Sequence, residues 1–382
     1  MTRHAEIAGA GFAGLSLAIL LAHAGWTVRV HERADEVREI GAGLFLHNNG
    51  LLVLEEMGLM DELAPLGTQL EWERMIDAGG RYLQNRPLVG QARVWSFPRQ
   101  ALIEAMLRAA RTCGVDVRTG SEIRTASAGG ELAGAGGERY RADLVVGADG
   151  HRSAVRTALG LARVETRLST TSIRFLLDGR ELAPEPVTTE YWSGRRRAAL
   201  TACGPANTYV YMACPVADEP GSAVPLDVES WSAHLPRLRA VFERLGRAQP
   251  YKSWYSFVQA RAWSDGRAAL LGDAAHALAP TLGQGTNLAL SNARSLVTFL
   301  QDSPGVEDAL RAWERAVRPT TDATQRWAGR YDRVTKHWPD RLGTVRRAVI
   351  WAFGASPVLN ARLRRADRTP PVTRGRAAGR VR

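Results

Sequence analysis

Gly9-Ala10-Gly11-Phe12-Ala13-Gly14 is the stretch on which the fold turns. Residues 4–9 ahead of it read as a short buried strand, and the run behind it as a helix to about Ala24. In that setting the first glycine permits a tight turn. The second lets backbone approach a pyrophosphate, and the third lets the helix pack on the strand. A second strand-like run, Thr27 to Glu32, ends 18 residues after Gly14 on an acid placed to accept hydrogen bonds from a ribose diol. Arg33 beside it is a candidate for holding a 2′-phosphate, but the glutamate favours a plain adenosine ribose. The fold class is therefore α/β, with a Rossmann-like dinucleotide-binding unit.

Two further signatures repeat the pattern of strand, acid and glycine. Asp143-Leu144-Val145-Val146-Gly147-Ala148 runs into Asp149-Gly150, with a helix expected from Ser153. Ala268-Ala269-Leu270-Leu271 runs into Gly272-Asp273, then Pro280, then Gly283-Gln284-Gly285-Thr286-Asn287, and a helical pattern from Leu288 to Leu300 follows. An acid at a strand end suits a hydroxyl, and glycines at a helix start let N–H groups face a developing negative charge. Arg99 opens another helix, where the macrodipole disfavours a cation unless an anion is bound.

Between about 165 and 262 the period changes to two, with strands at Ser172 to Leu176, Thr188 to Trp192, Ala198 to Ala202 and Thr208 to Cys214. This predicts an antiparallel substrate-binding sheet layer over 166–262, joined by a hairpin at 69–95, inserted into a discontinuous dinucleotide domain of 1–68, 96–165 and 263–320. Val306 to Val317 and Thr320 to Val334 read as two helices, so 321–365 becomes a C-terminal helical segment. The Arg-, Gly- and Pro-rich end, 366–382, reads as a basic, disordered tail.

The net charge of +11 hints at nucleic acid, yet residues 361–382 carry eight Arg against one Asp, which leaves +4 for the rest. With no aromatic residues interleaved among the basic ones, a nucleic-acid partner is not expected. Cys113, Cys203 and Cys214 form no CxxC, and the eight histidines show no metal-ligand spacing, so no metal is expected. Glycines interrupt the apolar N-terminus and a strand follows at once, unlike a signal peptide. No run reaches about 18 apolar residues, so no membrane span is expected and the reading is cytoplasmic.

The three signatures, at their order and spacing, resemble the single-component FAD-dependent aromatic hydroxylases with the p-hydroxybenzoate hydroxylase fold, across roughly residues 4–335. Similarity is greatest to the branch containing 2-methyl-3-hydroxypyridine-5-carboxylate oxygenase, through Ala5–Leu15, Gly41-Ala42-Gly43-Leu44, Ala223–Asp227 and Arg318–Asp322. The resemblance implies FAD, with NADH or NADPH and O2 as co-substrates, and oxygen delivered through a C4a-hydroperoxyflavin to an electron-rich aromatic or heteroaromatic ring. It places Glu32 at the adenosine ribose, Ile123 at the adenine, and Arg99 at the pyrophosphate or ribityl region. Asp149-Gly150 is tied to pyrophosphate and nicotinamide, and Asp273 to a ribityl hydroxyl. Gly43 and Leu44 join the cofactor set, and the backbone of Gly285, Thr286 and Asn287 faces the flavin pyrimidine edge. Asn292 stands where an acid is common in the helix after the Gly-rich loop.

No catalytic nucleophile or triad is present; the chemistry is flavin-based. Alignment with the pyridine-oxygenase branch makes Arg197 and Tyr209 candidates for gripping a carboxylate or phenolate, with His47 and Pro280 lining the ring. Arg195-Arg196-Arg197 reads more readily as a solvated turn, and Tyr209 as core. A halogenase would need a GWxWxIP box, a disulfide reductase a redox CxxxxC, and a Baeyer–Villiger enzyme a second dinucleotide fingerprint; none is present. A flavin oxygenase that epoxidises or opens a heteroaromatic ring, and a flavin-bound regulator without catalysis, remain alternatives. A monomer or homodimer is expected.

Overall fold

The computed structural model describes residues 2–38, 41–336 and 342–373. A mainly parallel six-stranded sheet carries the glycine signatures, in the order Ser264–Asp265, Ala268–Leu270, Leu144–Gly147, His4–Ala8, Thr27–His31 and Asp116–Arg118. Its strands Ala268–Leu270 and Leu144–Gly147 are apolar throughout, as a sheet covered on both faces favours, while His4–Ala8 buries Glu6 paired with His31 and Arg29 of the next strand. The helix Phe12–His23, buried from Phe12 to Leu21 except at Ala13, packs between this sheet and the helix Gly285–Asp302. Because the strands run parallel, their carboxyl ends come out side by side, where doubly wound sheets bind ligands.

A seven-stranded sheet stands beside it, in the order Tyr251–Ala260, Ala162–Asp178, Asn207–Pro215, Arg196–Cys203, Val187–Ser193, Trp72–Asp77 and Tyr82–Pro87. The hairpin of 72–87 joins through a parallel pairing of Trp72–Asp77 with Val187–Ser193. Alternation gives this sheet two unlike faces. Ile173, Phe175, Leu200, Val210 and Met212 pack on Trp231, Phe242 and Leu245 of the helical segments 228–245. The other face carries Arg174, Glu190, Arg197, Tyr209 and Tyr211.

Three expectations are corrected. The strand read over Ser172 to Leu176 is 17 residues long, Ala162–Asp178, since its first half pairs with Tyr251–Ala260 across bulges that a short period-two count misses. Pro319 does not divide two helices: one helix runs Val306–Lys336, so the boundary at 320/321 falls inside it. Arg318 anchors that helix at the proline by donating to the carbonyls of Ala260 and Arg261. Residues 366–373 are not a free tail. Ala366 and Asp367 are buried, Val372 N donates to Ser295 Oγ at 3.0 Å, and Thr298 Oγ1 donates to Val372 O at 2.8 Å. Residues 374–382 lie outside the described residues. No described helix is long and apolar enough to cross a membrane, and no described cluster of His, Cys, Asp or Glu could hold a metal.

Candidate active site

The three signature turns meet at the carboxyl ends of the parallel strands. Gly9 N donates to His31 O at 2.7 Å and Ala148 N to Ala8 O at 2.8 Å, joining the first turn to both neighbours. Gly9 has φ +100°, and a Cβ there would strike the carbonyl of Ala148. At Gly14 a Cβ would strike the carbonyl of Gly9, so the helix sits hard against its own turn. Gly272 (φ +63°) lies so close that its Cβ would come within 2.8 Å of Ala13 Cβ. Arg156, buried and missed as a functional residue, ties two turns together. Its guanidinium donates to Ala274 O at 2.9 Å and His151 O at 2.7 Å, and pairs with Glu165 at 2.6 Å.

Polar groups then line this groove. The Glu32 carboxylate, half-buried at the strand end, accepts from Ala10 N and Ala34 N, both at 3.0 Å. Arg33 is exposed, Ile123 is buried beside the same edge, and the Arg99 guanidinium lies 5.1 Å over the Phe12 ring. Asp149 Oδ2 accepts from Ala154 N and Val155 N, while Oδ1 is buried without a partner, and burial pushes this carboxyl above the usual range. Gly150 adopts φ +80°, and Asp273 is exposed at the first turn after Gly272.

Further along, the helix Gly285–Asp302 has no side-chain cap, and its first internal bond runs from Leu288 N to Gln284 O at 2.9 Å. The N–H groups of Gly285, Thr286 and Asn287 precede that bond. The Asn287 side chain works elsewhere: Oδ1 accepts from His47 N at 2.8 Å, and Nδ2 donates to Phe45 O (3.1 Å) and Gly283 O (2.8 Å). It clasps the strand Gly43–His47 to the Gly-rich loop. Asn292, in place of an acid, donates to buried His276 Nε2 at 3.0 Å and to Thr321 Oγ1 at 3.2 Å.

The polar sheet face closes the other side. A Cβ on Gly43 would lie 2.6 Å from the Tyr209 ring, so Tyr209 and Phe45 form a wall with Leu44 buried next to them. His47 lies against Gly283, near Glu73, Arg86, Arg364 and Asp367, and burial lowers its pKa, favouring the neutral ring. Pro280 starts a half-buried turn, Pro280–Leu282, whose Thr281 bonds Asp332 Oδ1 at 3.4 Å. Tyr331 next door is buried, and its hydroxyl pKa is raised by burial, with Glu190, Glu73, Arg197 and Arg86 all close enough to act on it.

The two substrate candidates Arg197 and Tyr209 share this face but stand apart along it. Tyr209 pairs with Thr201, four residues along the strand from Arg197, roughly 13 Å away at strand spacing. Arg197 is not a solvated turn residue. It is buried, 5.0 Å over the Trp192 ring and 3.3 Å from Glu190 Oε1. Burial is the largest influence and opposes its charge, but Glu190, with Tyr211, Asp332 and Tyr331, together outweigh it, so its pKa stays above the ordinary value. Glu190, Tyr211, Arg174 and Tyr331 went unrecognised in the sequence. Alternation within 187–193 and 207–215 puts Glu190 with Trp192 and Tyr211 with Tyr209 on one face, and that signal was available.

The comparisons agree with this geometry. A model of the FAD binding domain family matches residues 2–319. The 2-heptyl-3-hydroxy-4(1H)-quinolone synthase of Mycobacteroides abscessus is 36% identical over 331 residues, 84% of this chain and 88% of that protein. Aurachin C monooxygenase/isomerase of Stigmatella aurantiaca is 28% identical over 94% of this chain and 96% of its own. Among solved structures, 2-methyl-3-hydroxypyridine-5-carboxylic acid oxygenase superposes with a TM-score of 0.86 at 32% identity, covering 97% of this chain and 98% of that one.

Proposed function

This chain belongs to the FAD binding domain family and is an FAD-dependent monooxygenase, and from that premise we propose that it spends NADH or NADPH and O2 to hydroxylate a nitrogen heteroaromatic ring. The balance is one ring C–H, O2, NAD(P)H and a proton giving ring C–OH, water and NAD(P)+. Identity to the quinolone synthase and to the hydroxypyridine oxygenase supports a ring of that type. One observation carries the reading: the three signature turns converge on a groove that ends at the polar face of the seven-stranded sheet.

The residues fit the cofactor. Glycines at 9 and 14 leave no room for a Cβ, and buried Asp149 Oδ1 has no partner. Gly11, Phe12, Ala13 and Arg99 would hold the pyrophosphate with Asp149-Gly150, Glu32 the adenosine ribose beside Ile123, and Asp273 a ribityl hydroxyl. The N–H groups of Gly285–Asn287 would stabilise negative charge at the pyrimidine edge. Bound FAD supplies hydride acceptance from NAD(P)H and activation of O2. Neutral His47 can take a proton from a ring O–H or N–H, making the ring more electron-rich, while Pro280, Tyr209 and Tyr331 exclude water.

The test uses purified, FAD-loaded protein with quinolones, hydroxypyridines and phenols. The expected result is substrate-stimulated NAD(P)H oxidation and a product one oxygen atom heavier by mass spectrometry. If neither NADH nor NADPH bleaches the flavin with any of them, the reading fails.

A further inference from the structure

We infer that Glu190 sets the charge of the accepted substrate: by neutralising Arg197 it fits the ring pocket to an uncharged heteroaromatic and against an aromatic carboxylate. This rests on the oxygenase reading and deepens it. Arg197 is the buried cation on this sheet face that lies close to Tyr331, and it is already engaged. Its NH1 stands 3.3 Å from Glu190 Oε1, with the side chains 5% and 19% exposed. The pairing comes from adjacent antiparallel strands, in which Glu190 faces Ala199 and Trp192 faces Arg197, so the carboxylate reaches diagonally across the small Ala199 neighbourhood. Trp192 beneath fixes the guanidinium plane.

The surroundings repeat this compensation. Arg86 Nε donates to Glu73 Oε2 at 2.6 Å, and Asp332 lies near Arg197 on the facing helix. Arg346 approaches the Trp192 ring at 5.9 Å and donates to Gly194 O. Arg86, Arg197, Arg346 and Arg364 against Glu73, Glu190, Asp332 and Asp367 make four positive and four negative charges, a sum of zero. A carboxylate entering this pocket would add an unpaired buried charge, which is strongly unfavourable. A neutral ring with one N–H or C=O adds none, and the buried, unpartnered hydroxyl of Tyr211 offers it a hydrogen bond. Arg174, bound to Ser253 Oγ at 2.6 Å, lies three strands from Glu190, roughly 14 Å away, against Gly41 at the cofactor side.

Two matched probe pairs test this: 4-hydroxyquinoline against 4-hydroxyquinoline-2-carboxylate, and 3-hydroxypyridine against 5-hydroxynicotinate. Binding to the FAD-loaded protein is read by perturbation of the flavin absorbance, without turnover. The wild type should bind the neutral member of each pair about tenfold or more tightly. In Glu190→Gln the freed Arg197 should improve carboxylate binding by about tenfold or more, narrowing or reversing the preference. The double variant Glu190→Gln/Arg197→Met, neutral without the pair, should return to the wild-type order. It keeps the test decisive if the single variant folds poorly, which thermal melting and FAD content report. Wild-type preference for the carboxylates overturns the proposal, as does an unchanged ratio in Glu190→Gln, or no binding of any probe to any form. Absent NAD(P)H oxidation with the binding preference intact sinks the oxygenase reading alone; oxygenase activity with a reversed preference sinks only this one.

Discussion

His276 shows how one side chain can set a pH limit on the protein. It is buried against Trp263, accepts from Asn292, and burial lowers its pKa from 6.5 to about 4. An unfolded imidazole titrates near 6.5, so between that value and 4 the unfolded chain takes up a proton that the folded chain refuses. Stability is complete above about pH 6.5 and falls as pH drops, by on the order of 3 kcal/mol from this group alone. Urea midpoints measured from pH 7.5 to 4 should fall more steeply for the wild type than for His276→Gln; parallel curves would rule the assignment out. The Asn292 contact was invisible in the sequence, where the residue only marked a missing acid. Which partner replaces that acid depends on a helix 29 residues on, through Thr321. Arg197 is the same kind of case, since its residue type suggested an anion site and only the neighbouring strand reveals that the anion is Glu190.

Turns and strand ends are where the sequence speaks most directly, because their demands are local. Gly9, Gly14 and Gly272 are required by close approaches within one or two contacts, and a residue that lacks a Cβ announces the place. Gly9→Ala combines a positive φ with a clash on the Ala148 carbonyl. Such strain costs about 1–3 kcal/mol. The variant should purify with FAD occupancy cut severalfold, read from the ratio of flavin to protein absorbance; full occupancy would contradict the role given to this turn. Long-range elements were harder to read. The helix Val306–Lys336 passes through Pro319 because Arg318 holds it to the strand end at Ala260, a contact 58 residues away in sequence. The segment 366–373 looked like tail by composition, yet two hydrogen bonds from Val372 and buried Ala366 and Asp367 seat it. Ending the chain at Arg365 should lower the melting temperature by on the order of 5 °C. Scanning fluorimetry with no shift would return those residues to the tail.

Taken together, the two sheets divide the work unequally, and stability should follow. The parallel sheet owns a groove of glycine turns and buried polar atoms, including Asp149 Oδ1, that lack protein partners. Ligand that binds only the folded state stabilises it, by about 2.7 kcal/mol at a hundredfold excess over Kd. Protein stripped of FAD should therefore melt lower and recover on reloading. The substrate probes alone should leave the stripped protein's melt unchanged, because half of the ring pocket's wall is missing. Recovery by riboflavin as complete as by FAD would argue against the roles of Glu32 and the first glycine turn.

The Asn287 clasp bears on how such an enzyme could change its diet. Its amide bonds only main-chain atoms of residues 45, 47 and 283, so these hydrogen bonds do not depend on which side chains stand at 45 and 47. Ring-facing positions are thereby uncoupled from the scaffold that frames them. A library randomised at 45 and 47 should return mostly folded, yellow proteins with scattered ring preferences, whereas one randomised at 287 should return mostly colourless ones. The scaffold keeps its inheritance in one amide and leaves neighbouring positions open to trial.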